Sequence, residues 1–159
     1  MEHEGNRQAS LEEVARIEEI VASLPGREHT DRDGNPCGEI TLDDILFVAP
    51  YNTQVRRIKR AIPDANVASV DKFQGREAPI VIVSLSTSFG ERGPRGIEFV
   101  LDKHRLNVAV SRAQSLAIVV GDPRLAMNPV RSVAQMERQN LLCRLLDVGL
   151  AARRATSVK

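Results

Sequence analysis

Four short runs of apolar, mostly β-branched residues punctuate the chain: Ile45-Leu-Phe-Val-Ala49, Val67-Ala-Ser-Val70, Ile80-Val-Ile-Val-Ser-Leu85 and Leu116-Ala-Ile-Val-Val120. Apolar character on both faces of a pleat marks strands of a parallel sheet that is covered on both sides. Between and after them, apolar residues recur at three- and four-residue steps, which predicts helices over roughly residues 53–61, 103–113 and 133–148. Upstream, Ser10-Leu-Glu-Glu13 has the spacing of a capping box. Leu11, Val14, Ile17, Ile20, Val21 and Leu24 then trace one helical stripe, which Pro25-Gly26 ends. The stretch from Pro25 to Thr41 has almost no apolar residue and predicts a surface loop. Within it, Asp31-Arg-Asp33-Gly-Asn35 invites comparison with a calcium loop. Pro36 stands where such a loop needs Gly and Leu42 where it needs Glu, so a turn is expected. The alternation of strands and helices predicts an α/β fold with crossover helices on both faces. Residues 1–150 read as one domain, with a Gly-Pro-Arg loop from Gly90 to Gly96, and residues 151–159 as a flexible tail.

Composition narrows the class. A chain of 159 residues with 42% hydrophobic content can bury a core of its own. No apolar run approaches the roughly 20 residues of a membrane span. Met1-Glu-His-Glu-Gly is polar and acidic, unlike a signal peptide, so a soluble, cytoplasmic protein without a membrane partner is expected. Two distant cysteines (Cys37, Cys143) and three scattered histidines argue against a metal site or a disulfide framework. Aromatic content of 3%, with no Trp and one Tyr, argues against a broad base-stacking platform; a bound nucleic acid would be held through its backbone. The net charge of +1 is an average of two unlike parts. Residues 1–50 carry four basic and twelve acidic residues, and the remainder carries 18 basic and 9 acidic, which suggests a polyanion-facing surface in the second part.

Open α/β sheets bind ligands beyond the carboxyl ends of their strands. After Ala49 come Pro50-Tyr51-Asn-Thr-Gln54 and a helix whose polar side is crowded by Arg56, Arg57, Lys59 and Arg60. This is either a solvated basic face or a turn that meets a phosphate backbone. After Val70 comes Asp71-Lys72-Phe-Gln74-Gly75-Arg-Glu77, denser in charge than a plain connection needs. Here Gly75 allows close backbone approach, Gln74 both donates and accepts, and Glu77 can accept from a sugar hydroxyl. The third cluster, His104-Arg105-Leu-Asn-Val-Ala-Val-Ser-Arg112-Ala, carries a buried stripe of Leu106, Ala109, Val110 and Ala113. Arg105 and Arg112 are two helical turns apart and can point the same way, as phosphate ligands or as ordinary surface arginines.

In this order, each beside a strand, the three clusters resemble the late motifs of superfamily 1 helicases. The branch most similar contains the nonsense-decay RNA helicase and the DNA replication and repair helicase-nucleases. The second cluster resembles motif V and the third motif VI, and similarity extends over roughly residues 3–148. Glu4-Gly-Asn-Arg-Gln-Ala-Ser10 looks like the start of the second RecA-like domain in bacterial relatives, including those fused to a RecB-like nuclease. The resemblance implies a three-layer RecA-like fold with a mainly parallel sheet. It implies Arg112 as the arginine finger on the γ-phosphate, with Gln74, Gly75, Glu77 and Arg105 on the nucleotide side. Pro50, Tyr51, Asp71 and Lys72 would lie nearer the nucleic-acid strand.

The departures from the pattern matter equally. No G-x-x-x-x-G-K-[ST] occurs, so the chain has no P-loop. Asp43-Asp44 precedes a strand instead of ending one, unlike the acidic pair that holds Mg²⁺, and no [DE]-x-K pair of a RecB-like nuclease is present. ATP and Mg²⁺ are therefore expected only together with an N-terminal RecA-like domain, in the same or another chain. The leading expectation is the C-terminal motor domain of a helicase that moves on single-stranded nucleic acid, DNA before RNA and 5′ to 3′ by analogy, without ATPase activity alone. A stand-alone nucleic-acid-binding module with the same fold is the alternative. A generic α/β enzyme using Asp71, Lys72 and Glu77 as acid and base is a third reading.

Overall fold

The computed structural model describes residues 1–31, 33–69, 72, 77–91 and 99–156. Helix α1 (Leu11–Ala22) is followed by a two-stranded antiparallel ribbon, β1 (Glu28–Thr30) and β2 (Pro36–Glu39). Then come β3 (Ile45–Val48), α2 (Asn52–Ala61), β4 (Asn66–Ala68), β5 (Ala78–Ser84), α3 (Lys103–Ser111), β6 (Ala113–Val120) and α4 (Val133–Thr156). Short 3₁₀ turns occupy Leu42–Asp44 and Pro123–Met127. The four expected strands form one all-parallel sheet in the order β4-β3-β5-β6. This is the mixed α/β architecture that the alternation of elements implies, and it is consistent with the RecA-like fold that the family resemblance implies.

Period-two alternation sorts the strand side chains into two cores. Ile45 and Phe47 of β3 with Ile80 and Ile82 of β5 face α1 and α2, where Val14, Ile17 and Ile58 cover them. Leu46, Val48, Val81 and Val83 point the other way, onto Leu106 and Ala109 of α3 and Leu142 of α4. Both faces of β3 and β5 are dry, which explains why their sequences are continuously apolar.

The chain steps from β3 through α2 to β4 on one side, and β5 and β6 lie on the other. The strand order therefore reverses between β3 and β5, and a crevice at such a switch point is the usual ligand site of an open α/β sheet.

Three expectations need correction. The Pro25–Thr41 stretch contains the β1-β2 ribbon. Its residues are almost all exposed on both faces, so no apolar alternation exists for a sequence reading to find. The turn within it forms as expected, with Asp31 Oδ1 accepting the N–H of Asp33 at 2.9 Å and of Asn35 at 2.8 Å. Helix α4 runs to Thr156, past the expected end at Val148, because Gly149 weakens a helix without ending it. Of the expected tail, only residues 157–159 lie outside the described residues, as do residues 92–96 of the Gly90–Gly96 loop.

The third correction concerns α1. Ser10 Oγ accepts the Glu13 N–H at 3.0 Å, but Glu13 does not return the bond to the Ser10 N–H. Gln54 of α2 takes that N–H through Oε1 at 2.9 Å and donates to the Ser10 carbonyl at 3.2 Å. Glu13 instead turns inward, fully buried. Its carboxylate accepts the Ser86 N–H on both oxygens at 3.0 Å, the Ser84 hydroxyl at 2.5 Å and His3 Nε2 at 3.0 Å. Ser86 holds a positive φ of 65°, an unusual conformation for a residue with a Cβ, and it aims its N–H at Glu13.

A buried carboxylate is stabilising only while its partners satisfy it. Glu13→Ala is expected to lower unfolding stability by about 3 kcal/mol or more, and Glu13→Gln, which keeps an acceptor, by less. Urea denaturation of both variants measures this, and a loss below about 1 kcal/mol in the alanine variant would contradict the role. Gly121 ends β6 against Leu85; a Cβ there would sit 2.6 Å from Leu85 Cδ1 and 3.0 Å from its Cβ. Gly121→Ala is expected to lose about 1–3 kcal/mol in the same experiment.

Candidate functional site

The sheet divides the expected site residues between its two edges. Pro50 and Tyr51 follow β3 at the carboxyl edge. Lys72 is held near the end of β4 by its N–H, which donates to the Ser69 carbonyl at 3.0 Å, and its side chain is exposed. Because β3 and β4 are parallel and Ala49 N–H reaches the Ala68 carbonyl at 3.3 Å, these three residues share one edge. Asp71, Gln74 and Gly75 lie outside the described residues.

Glu77 and Arg112 sit at the opposite, amino edge. Glu77 is the exposed residue before β5, and Ala78 N–H donates to the Arg112 carbonyl at 3.0 Å, level with the Ala78–Ala113 pairing of β5 and β6. Arg112 ends α3 as its C-cap, with its own N–H on the Ala109 and Val110 carbonyls. Its side chain is half-buried, and among the described residues no hydrogen-bond partner reaches its buried Nε. A buried guanidinium N–H without an acceptor is a costly arrangement unless a ligand supplies one.

Arg105 parts company with Arg112. Helix α3 runs back along the sheet, from the carboxyl edge, where Asp102 caps it by accepting the Arg105 N–H at 3.0 Å, to the amino edge at Arg112. The Arg105 guanidinium lies over the Phe99 ring, 4.2 Å from its centroid, and Phe99 packs at 5.4 Å against Tyr51. A small pocket among Val48, Pro50, Val83, Leu85, Phe99 and Arg105 opens at that edge. Two helical turns carry the two arginines to different edges of the sheet.

Beside this pocket, the carboxyl edge is filled by the chain itself. His3, Ser10, Glu13, Gln54, Ser84, Ser86 and Ser88 are buried and joined: His3 Nδ1 meets Ser88 Oγ at 2.7 Å, and Gln54 Nε2 donates to Ser84 Oγ at 3.0 Å. Asp122 and Arg124 extend the network, with Arg124 Nη2 donating to Asp122 at 2.9 Å and to the His3 carbonyl at 2.9 Å. Sequence reasoning missed these residues. Two signals were available: Glu13 falls on the apolar stripe four residues before Ile17, and Ser84-Leu-Ser-Thr-Ser88 is a hydroxyl-rich run directly after a core strand.

The profile described as an AAA domain matches residues 1–124. The chain belongs to that family. The match takes in α1 to β6 and both edges of this AAA domain, and ends before α4. Among its relatives, "DNA polymerase alpha-associated DNA helicase A" of Schizosaccharomyces pombe is 40% identical over 83 residues, covering 50% of this chain and 12% of that protein. "DNA replication ATP-dependent helicase/nuclease JHS1" of Arabidopsis thaliana is 37% identical over 83 residues, 51% of this chain and 6% of that protein. "Probable RNA helicase armi" of Drosophila melanogaster is 35% identical over 95 residues, 54% of this chain and 8% of that protein. The AAA domain thus spans only a small part of the relatives it matches, and it is a helicase-like domain. Among the described residues, no helix is long and apolar enough to cross a membrane.

The closed carboxyl edge has a pH signature. Burial alone would raise the Asp122 pKa, but hydrogen bonds from the Arg124 side chain, then from the N–H groups of Arg124 and Phe89, hold it below the usual carboxylate value. A folded pKa below the unfolded one stabilises above about pH 4 and loses that contribution as pH falls through the folded value. Asp122→Asn is expected to be less stable than the parent at pH 7, with the gap narrowing below about pH 4. Urea midpoints across pH 3–7 check this; a gap independent of pH would contradict it.

Proposed function

We propose that this chain is the second RecA-like motor domain of an ATP-dependent superfamily 1 helicase, acting on single-stranded nucleic acid. The observation that carries the reading is Arg112: a half-buried arginine at the amino edge, next to Glu77, with an Nε that has no acceptor among the described residues. An oxygen of a γ-phosphoryl group fits that donor. The planar fork of the guanidinium would then neutralise charge as the terminal phosphate passes to water and ADP leaves.

Nothing in the sequence replaces a P-loop, so the phosphates and Mg²⁺ would be held mainly by a first RecA-like domain. The metal, when bound there, supplies charge neutralisation across the β- and γ-phosphates. On this side Glu77, with Gln74 and Gly75 of the same motif, would border the nucleotide. Pro50, Tyr51, Asp71 and Lys72 would contact the strand. A C-terminal position relative to the P-loop domain follows from this division, and the similarity to bacterial nuclease fusions belongs with it. The relatives are named for both DNA and RNA, so the strand is proposed without preference between the two.

The purified chain is expected to bind single-stranded oligonucleotides in a salt-dependent way and to show no ATP turnover. In a protein that joins it to a P-loop domain, Arg112→Ala is expected to lower kcat for ATP by roughly 10³-fold or more. Turnover by the chain alone that disappears in Arg112→Ala would overturn the reading. Oligonucleotide binding by a chain whose gene neighbourhood holds no P-loop ATPase would favour the stand-alone module.

A further inference from the structure

We propose that Arg105 is a ligand of the nucleic-acid strand, contacting a phosphodiester at the carboxyl-edge crevice, and takes no part in binding the nucleotide. The inference rests on the reading of the chain as a helicase motor domain and divides its two motif arginines between two ligands.

Three observations lead there. First, Arg105 and Arg112 are seven residues apart on α3, about 10 Å along the axis, and α3 runs from one edge of the sheet to the other. The Arg105 side chain lies with Val48, Pro50, Val83 and Leu85, all at the carboxyl ends of β3 and β5. Arg112 is level with Ala78, at the amino end of β5. Second, the crevice between β3 and β5 is the switch point of the sheet, where the strand order reverses and ligands of open α/β sheets bind. The buried network of Glu13, Gln54 and Ser84 fills it on the α1 and α2 side, and among the described residues a pocket opens on the α3 side, beside Arg105. Third, the guanidinium rests on Phe99, which rests on Tyr51. Stacking engages the flat face of an arginine, whereas phosphate binding uses the donors along its edge, so the two act together, and the ring limits the rotamers lost on binding.

The chemistry suits a polyanion. Among the described residues the lining is apolar apart from Ser84 and Arg105, so Arg105 is the cation it offers to a phosphate, and exposed Lys72 stands on the same edge.

The test uses the whole chain and two fluorescent sixteen-residue oligonucleotides, oligo(dT) and oligo(rU), with binding read by anisotropy across a salt series. Arg105→Ala is expected to weaken binding about tenfold and to flatten the slope of log K against log salt by about 0.7, the value of one phosphate contact on a single strand. The loss should be the same for both oligonucleotides, since the phosphate is common to them. Arg105→Lys keeps the charge and should keep the slope of the parent while losing part of the affinity, a rescue that a purely structural role would not give. Parent-like affinity and slope in Arg105→Ala, with Lys72→Ala weakened, would overturn the inference and leave the motor-domain reading intact. Absence of oligonucleotide binding by the parent chain would overturn both. If Arg105→Ala is misfolded by circular dichroism, the lysine variant decides: a slope flattened as far as if the charge were gone would overturn the proposal, and a parental slope would support it.

Discussion

A carboxylate taken wholly out of water must find its partners inside the protein, and Glu13 finds them in two separate parts of the chain. It ties the first turn of α1 to the residues that leave β5, through Ser86, and to the N-terminal arm, through His3. Gln54 makes the matching tie from α2 to the N-cap of α1 and to Ser84. Because these groups are satisfied only together, the arm, both helices of one face and the end of the central strand are set relative to one another as a unit.

The closure has a consequence for where ligands can go. In many parallel α/β sheets, the carboxyl ends of the central strands hold the phosphate-binding loop. Here that space on the α1 and α2 side is occupied by the protein's own serines, glutamate and histidine, so the described residues leave no cradle for a triphosphate there. Arg112 stands at the opposite edge, carried there by the length and direction of α3. The same helix begins at the pocket beside Tyr51 and Phe99. One nine-residue helix and its C-cap therefore present two cations to two different surroundings, held at a fixed spacing by a rigid element.

Much of the fold was legible because its signals are local. Ile45–Val48 and Ile80–Ser84 read as buried strands from composition alone, and the stripe of Leu11, Val14 and Ile17 read as a helix from its period. The ribbon of β1 and β2 was not legible, since its residues are exposed on both faces and carry no pattern. The end of α4 was placed early because a lone glycine weakens a helix by about 1 kcal/mol and does not end it. Glu13 was read as half of a local capping box, whereas burial beside Ser86 outweighed that local bond.

The sequence by itself determined the strands of the parallel sheet, the helices between them and their order along the chain, the parallel α/β class and the residue types able to meet phosphate. Each depends on neighbours a few positions apart, where backbone geometry is dictated by side-chain periodicity. The tertiary structure alone decided which residues share an edge. Ala78 meets the Arg112 carbonyl, and Arg105 meets Phe99 and shares a pocket with Pro50, only because β5 pairs with both β3 and β6, and α3 spans the sheet between its two edges. Pairing order joins residues tens of positions apart, and no local periodicity encodes it.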